Sequence, residues 1–415
     1  MSSFSIPLTG LESSSTALNT IANNLSNMNT TAFKSQDVTF SDLFYQQIGS
    51  SGSGDLLEVG AGTQVAATST DFTEGSINST GIAADVALDG NGFFVLQNGG
   101  GDLYTRDGSF TLSSTGVLTS QAGLPVMGYP VVNGAVNTNA PLTAIQIPVG
   151  QVEQPAASAN FSMTANLDAS ATVGTSVPAQ ITLYDSLGIS HDATVTYTKT
   201  AANTWNYSIA LPAGDATGGA NLTGTLTFNA SGNLISPAGN VAGISFTGLS
   251  DGASNMTLNW NLYGSNNQAT ITQVAGSSNG SASASNVSGT WQDGHTSGQY
   301  SGFTIDSNGL VSATFKNGQT SPVGQLALAN VTNLEGLQIL GGNNYATTLA
   351  SGAASVGAAG SGGLGTIQDE ALEQSNVNIS TQFSDLIVAQ QAYEASSKAV
   401  TTMDTISQDT INMIH

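Results

Sequence analysis

Hydrophobic positions change period twice along the chain, and the changes divide it into three parts. From Leu11 to Met28 the apolar residues Leu11, Leu18, Ile21, Leu25 and Met28 follow one another at steps of seven, three, four and three, which puts them on one stripe of a helix. Asn27, Asn29 and the β-branched pair Thr30-Thr31 disfavour continuation, so the helix is expected to end near Asn29. At the other end Leu372, Ile379, Leu386, Tyr393, Val400 and Ile414 recur at multiples of seven, with Ser407 the polar member of the series and Phe383, Ala389, Met403 and Ile411 widening the line. A period of 3.5 held over this length predicts a coiled-coil-like surface that needs a partner helix.

Between the ends the period is two. Trp205, Tyr207, Ile209 and Leu211 share one face of a half-buried strand, as do Met256, Leu258, Trp260 and Leu262. Turn signals at Asp185-Ser-Leu-Gly188, Ser231-Gly232-Asn233, Asp306-Ser-Asn-Gly309 and Asn317-Gly318 have the spacing of antiparallel sandwiches or barrels. Gly49 to Gly54, Gly276 to Ser285 and Ser351 to Gly365 read as flexible connectors by composition.

The fold class expected is therefore mainly β with terminal α-helices: coiled-coil-like helices at both ends flank two all-β domains, the second inserted in the first. The boundaries are 1–70 for the N-terminal helix and connector, 71–148 for the first β domain, 149–295 for the inserted domain, 296–365 for the rest of the first β domain with its Gly-rich linker, and 366–415 for the C-terminal helix. A length of 415 residues allows such a division at about 150 residues per domain.

Charge narrows the function. Asp, Glu, Lys and Arg make up 8% of the residues, against about 25% in ordinary soluble proteins. The 27 acids face five bases, Lys34, Arg106, Lys199, Lys316 and Lys398, scattered singly. Nucleic acid and anionic membrane are thereby excluded as partners, because each needs clustered cations. The absence of cysteine removes disulfides, thiolate nucleophiles and zinc ribbons. The start Met1-Ser-Ser-Phe-Ser-Ile-Pro7 has neither the basic nor the apolar region of a cleaved secretory signal, so the chain is expected in the cytosol or outside the cell by a route that needs none.

Candidate chemistry is sparse. Gly276-Ser-Ser278-Asn-Gly280 matches the nucleophile-elbow pattern but runs into Ser-Ala-Ser-Ala-Ser, and Gly360-Ser-Gly362-Gly-Leu-Gly365 matches a phosphate-binding turn without a strand feeding it. His191, His295 and His415 are isolated and show no ligand spacing, so no metal is expected. Asp369, Glu370 and Glu373 read as acids in the first turns of the C-terminal helix, where the macrodipole favours them. No catalytic residue, cofactor or metal ligand is assigned.

Two terminal runs carry a resemblance. Ala17-Leu-Asn-Thr-Ile-Ala-Asn-Asn-Leu-Ser-Asn-Met-Asn-Thr-Thr-Ala-Phe-Lys34 resembles the N-terminal signature of bacterial flagellar axial proteins, the rod and hook components. Ser375-Asn-Val-Asn-Ile-Ser-Thr-Gln-Phe383 with Ala389-Gln-Gln-Ala-Tyr-Glu-Ala-Ser-Ser-Lys398 resembles their C-terminal signature. In the middle, Leu88-Asp-Gly-Asn-Gly-Phe-Phe94 and Tyr104-Thr-Arg-Asp-Gly-Ser-Phe110 are shared by rod and hook proteins, whereas Tyr184-Asp-Ser-Leu-Gly188, Val195-Thr-Tyr-Thr-Lys199, Asn317-Gly-Gln-Thr320 and Leu326-Ala-Leu-Ala-Asn330 are similar to the hook branch. The chain departs from the pattern at Ala32, where Gly is common, at Gln391, where Arg is, and at Asn378, where Asp is. Ala at 32 argues against a left-handed turn there.

The resemblance implies a non-enzymatic structural subunit of the flagellar hook, outside the cell, exported without a cleaved signal peptide. Its implied partners are copies of itself in a curved, hollow helical polymer, the rod, the hook–filament junction proteins and the hook cap during assembly. The implied subunit interface comprises Leu11, Leu18, Ile21, Leu25, Met28, Leu372, Ile379, Phe383, Leu386, Tyr393, Val400 and Met403. Both helices are expected to be mobile before assembly and ordered after it. The alternatives are a distal rod protein, or a secreted β-rich adhesin or polysaccharide-acting enzyme.

Overall fold

A computed structural model describes residues 5–44, 46–50, 56–275 and 285–413. Two long helices, α1 (Ser5–Ser26) and α2 (Ile379–Met413), stand at the ends of a chain that is otherwise β among the described residues, apart from a short 3-10 turn at Leu334–Gly336. The chain forms two compact units, one of Met1–Val149, Gly302–Thr314 and Thr320–His415, the other of Gly150–Ser301 and Phe315–Gln319.

The first unit holds both helices. After α1 the strands Gln36–Asp42 and Thr63–Thr70 pair antiparallel, and Gln46–Ser50 pairs with Leu56–Val59, so the stretch expected to be a plain connector carries ribbon structure. Residues 51–54 of the first expected linker, residues 276–284 of the second with the whole Gly276–Gly280 pattern, and Ile414 and His415 lie outside the described residues. The unit's main sheet runs Thr320–Asn330, Phe93–Asn98, Gly101–Thr105, Asn344–Ala346, Gln338–Gly341 in hydrogen-bonded order. Phe93, Val95, Tyr104, Tyr129, Ala329 and Tyr345 make its core, with Phe72 edge-on to Phe93 at 5.9 Å.

The expected Ser351–Gly365 linker is corrected by the same sheet. Ser355–Ala358 pairs antiparallel with Thr320–Asn330, since a run of Ser, Val, Gly and Ala lies close against a neighbouring strand. Gly360–Gly365 is followed by the strand Thr366–Asp369 rather than by a helix, which removes the phosphate-turn reading.

The second unit is a sandwich. Thr204–Ala210 sits in a five-stranded antiparallel sheet of Ser176–Tyr184, Ser190–Ala201, Thr204–Ala210, Thr223–Phe228 and Leu234–Ser236. A six-stranded sheet containing Asn160–Asn166, Val241–Leu249 and Met256–Trp260 supplies the other half of one shared core. Both alternating stretches bury the face their sequence marks, with Trp205 and Trp260 fully buried. Trp260 stacks on Phe161 at 5.7 Å and meets the Tyr207 edge at 5.0 Å. The four expected turns form, each closed by a glycine N–H bonded three residues back in the cases of Gly188, Gly232, Gly309 and Gly318.

Candidate functional site

The two helices pair antiparallel within one chain. A Cβ on Gly10 would lie 3.1 Å from Ser396 Oγ, and at the other end Asn24 Nδ2 donates to Gln382 Oε1 at 3.1 Å. Asn24 is buried and also donates to the Gln36 carbonyl at 2.8 Å while accepting the Gln36 N–H at 2.9 Å. One side chain thus ties α1, the following strand and α2 together. The most buried positions in this pair are Ser13, Asn24, Gln382 and Ala389, so the seam is small and polar.

The larger apolar side chains are left outside it. Along α2, Ile379, Phe383, Ile387, Val388, Tyr393, Ile406 and Ile411 are exposed, Val388 to 65%. Leu386, Val400 and Met403 are half-buried, as are Leu11, Leu18, Ile21, Leu25 and Met28, the last lying just beyond α1. A groove of about 460 Å³ between the helices is lined by Ala17, Ile21, Val38, Phe40, Val388 and Ala392 among others. Of the heptad series, Ile379 and Tyr393 are in this exposed set, Leu386 and Val400 are half-buried, and the exposed Ile387, Val388 and Ile406 lie outside the series; that the intramolecular seam would be polar had no signal in a hydrophobic pattern.

Leu372 is not on α2. It belongs to the strand Ala371–Glu373, which pairs with Ile77–Ser79, and α2 starts only at Ile379. Asn378 starts it, its Oδ1 accepting the N–H groups of Ser380 at 3.0 Å and Thr381 at 3.2 Å. Asn serves this cap as Asp would. The acids Asp369, Glu370 and Glu373 accordingly lie in strands or the turn between them, not in a first helical turn.

Glu373 has a different task. Its Oε1 accepts from Lys34 Nζ and from the Gly75 N–H at 2.9 Å, and its Oε2 lies 4.0 Å from Arg106 Nε. The Lys34 and Glu373 side chains are wholly buried. Lys34 also donates to the Thr73 carbonyl at 2.7 Å, and Arg106 Nη1 to the Leu88 carbonyl at 3.2 Å. Burial pulls Lys34 below the ordinary lysine value against the opposing charge of Glu373. Burial, then the charge of Glu373, pushes the Tyr345 phenol up to about 12. Two of the bases that look solitary in sequence therefore converge on one acid.

The same junction settles Ala32. It is buried, has φ of 56°, and donates its N–H to the Glu373 carbonyl at 2.9 Å. The left-handed turn exists despite the Cβ, held by that bond and by the packing around it. Asn376 completes the junction, accepting the Ser35 N–H and donating to the Asp71 carbonyl, both at 2.8 Å.

His191, isolated in sequence, is surrounded in the sandwich unit by Asp185, Asp215 and Asp251. Burial alone would lower its pKa, but hydrogen bonds to Asp215 and Asp185 outweigh that and hold it above the ordinary value. Asp215 and Asp251 are 24 and 60 residues away along the chain, too far for a spacing argument.

Comparison with known proteins covers nearly the whole chain. Residues 8–34 match the flagella basal body rod protein family, 87–197 the flagellar hook protein FlgE/F/G D1 domain, 152–295 the flagellar basal body protein FlaE D2 domain, and 368–413 the flagellar basal body rod FlgEFG protein C-terminal family. The flagellar hook protein FlgE of Escherichia coli K12 is 33% identical, covering 99% of each chain. That of Salmonella typhimurium is 33% identical over 99% of this chain and all of the relative, and that of Treponema pallidum 30% identical over 98% of both. The crystal structure of Helicobacter pylori flagellar hook protein FlgE2 shares the fold, with a TM-score of 0.54 and 15% identity over 72% of this chain and all of that one. With relatives of this identity matched from end to end, the chain belongs to the flagellar hook protein family.

Proposed function

We propose that the chain polymerises into a curved, hollow helical tube that carries torque from rod to filament as a flexible joint, without catalytic activity. The observation that carries this is the set of large apolar side chains left exposed on α2 after α1 has taken its polar seam. Seven large apolar side chains, each roughly half exposed, stand to gain about 1 kcal/mol apiece on being covered, or on the order of 5–10 kcal/mol per subunit before the cost of ordering. A tube that grows without closing needs one patch to meet a different patch on the next copy. In this reading Ile379, Phe383, Leu386, Tyr393, Val400 and Met403, with Leu11, Leu18, Ile21, Leu25 and Met28, form the inner layer, and the sandwich faces outward. Its Ser, Thr, Asn and Gly surface allows wet contacts to exchange partners cheaply, which a bending joint requires.

The rod, the junction proteins and the assembly cap are the further partners. Electron microscopy of the purified, concentrated protein tests the reading. Tubes are expected from the native chain and their loss from Phe383→Asp; a chain that stays monomeric at every concentration overturns it.

A further inference from the structure

The cluster around His191 has the arrangement of a metal site. The turn at residues 185–188 holds Asp185 through its Oδ1, which accepts the N–H groups of Leu187 and Ile189, both at 2.8 Å. Its other oxygen, Oδ2, is thereby fixed 3.3 Å from His191 Nε2, and the Asp185 side chain is wholly buried. Asp251 is oriented in the same way, its Oδ1 accepting the Ala253 N–H at 2.9 Å. Its Oδ2 points inward 3.2 Å from His191 Nε2, buried, with no hydrogen-bond partner. Behind the ring, His191 Nδ1 lies 3.1 Å from Asp215 Oδ2.

That last contact keeps a proton on Nδ1, so a cation that replaces the Nε2 proton would find the lone pair already facing the two carboxylate oxygens, as a second carboxylate arranges behind a metal-bound histidine. The three inward atoms all lie within 4.8 Å of one another. Nε2-to-oxygen separations of 3.2 and 3.3 Å equal the edge of a tetrahedron whose bonds are about 2.0 Å, the length of zinc bonds to nitrogen and oxygen. Charge argues the same way. Three carboxylates around one imidazolium leave a net charge of −2, and no Lys or Arg among the described residues forms an ion pair with them. A single Nε2 proton hydrogen-bonds Asp185 and leaves Asp251 Oδ2 unsatisfied; a divalent cation in its place serves both.

We propose that Asp185 Oδ2, His191 Nε2 and Asp251 Oδ2 bind a zinc ion in the sandwich unit, with Asp215 orienting the histidine and water in the fourth position. The ion pins the loop at 250–252 to the turn at 185–188, two segments brought together by the fold alone.

Isothermal titration of the full-length, chelator-treated protein with zinc chloride tests this, with cobalt as a spectroscopic probe. One saturable site per chain, a tetrahedral cobalt spectrum and a higher unfolding temperature with zinc are expected. Asp251→Asn should weaken binding at least tenfold while leaving the circular dichroism unchanged, and Asp215→Asn should weaken it about 10- to 100-fold through the histidine alone. His295→Gln should change nothing. Absence of saturable binding, or native affinity in both Asp251→Asn and Asp215→Asn, overturns the proposal.

Discussion

Glu373→Gln removes the one negative charge on which the two ends of the chain converge. Lys34 and Glu373 are completely buried and Arg106 nearly so, so solvent screens little of the change. Breaking a buried pair by neutralising one partner costs about 3–5 kcal/mol, because the other charge is left without compensation. For a unit of about 260 residues the unfolding entropy is about 0.55 kcal/mol per kelvin, so the midpoint should fall by about 5–9 °C. The deficit should also depend on pH. Lys34 is already pulled below its ordinary value by burial, and losing Glu373 lowers it further. The unfolded chain then binds more protons than the folded one between the folded value and the ordinary lysine value, so the variant gains stability as pH rises through that window. Replacing both partners, Lys34→Met with Glu373→Leu, should recover part of the loss, since it removes the Lys34 charge left behind but leaves the buried Arg106 guanidinium without its acid. Calorimetric unfolding of the two single variants and the double variant across pH provides the measurement. A Glu373→Gln deficit under 1 kcal/mol with no pH dependence would refute the junction's role.

Asn24→Ala leaves Gln36 and Gln382 groups unpaired beneath α1 and should cost about 1–3 kcal/mol in the thermal unfolding of assembled material, where the helix pair is held. Burial opposes it, but the N–H groups of Asn160 and Ala159 and the Asn160 side chain hold the Asp293 carboxyl below its ordinary value. Its contribution is therefore present above the ordinary aspartate range and lost as pH falls through the lowered value, and Asp293→Asn should flatten the acid limb of the sandwich's stability profile. Glu370 is exposed with φ of 50°, so Glu370→Gly should raise stability by about 0.5–1 kcal/mol.

What the sequence revealed was local. Trp205 to Ile209 and Met256 to Trp260 declare their buried faces because a strand's period is two wherever one face is covered. Along α2 the heptad series marked Ile379 and Tyr393, which are exposed, but also Leu386 and Val400, which are half-buried. Leu372 was drawn into the helix because it lies seven residues before Ile379, and the arithmetic of a heptad takes no account of a strand partner at Ile77–Ser79 almost 300 residues upstream. Asn378 followed by Ile-Ser-Thr was the local signal that could have stopped the helix in time. The Lys34, Arg106 and Glu373 cluster, and the carboxylates around His191, join residues whose separation carries no pattern. Ala32 reversed a propensity argument because tertiary bonds outweighed a preference of one or two kcal/mol.

Hydrogen exchange read by mass spectrometry on dilute chain and on assembled material tests directly whether the exposed apolar side chains of α2 exist to be covered by other copies. Residues 11–28 and 379–413 are predicted to exchange rapidly in the monomer and to become protected on assembly, while the sandwich remains unchanged. Strong protection of both helices already in the dilute chain, with no increase in concentrated solution, would contradict the account.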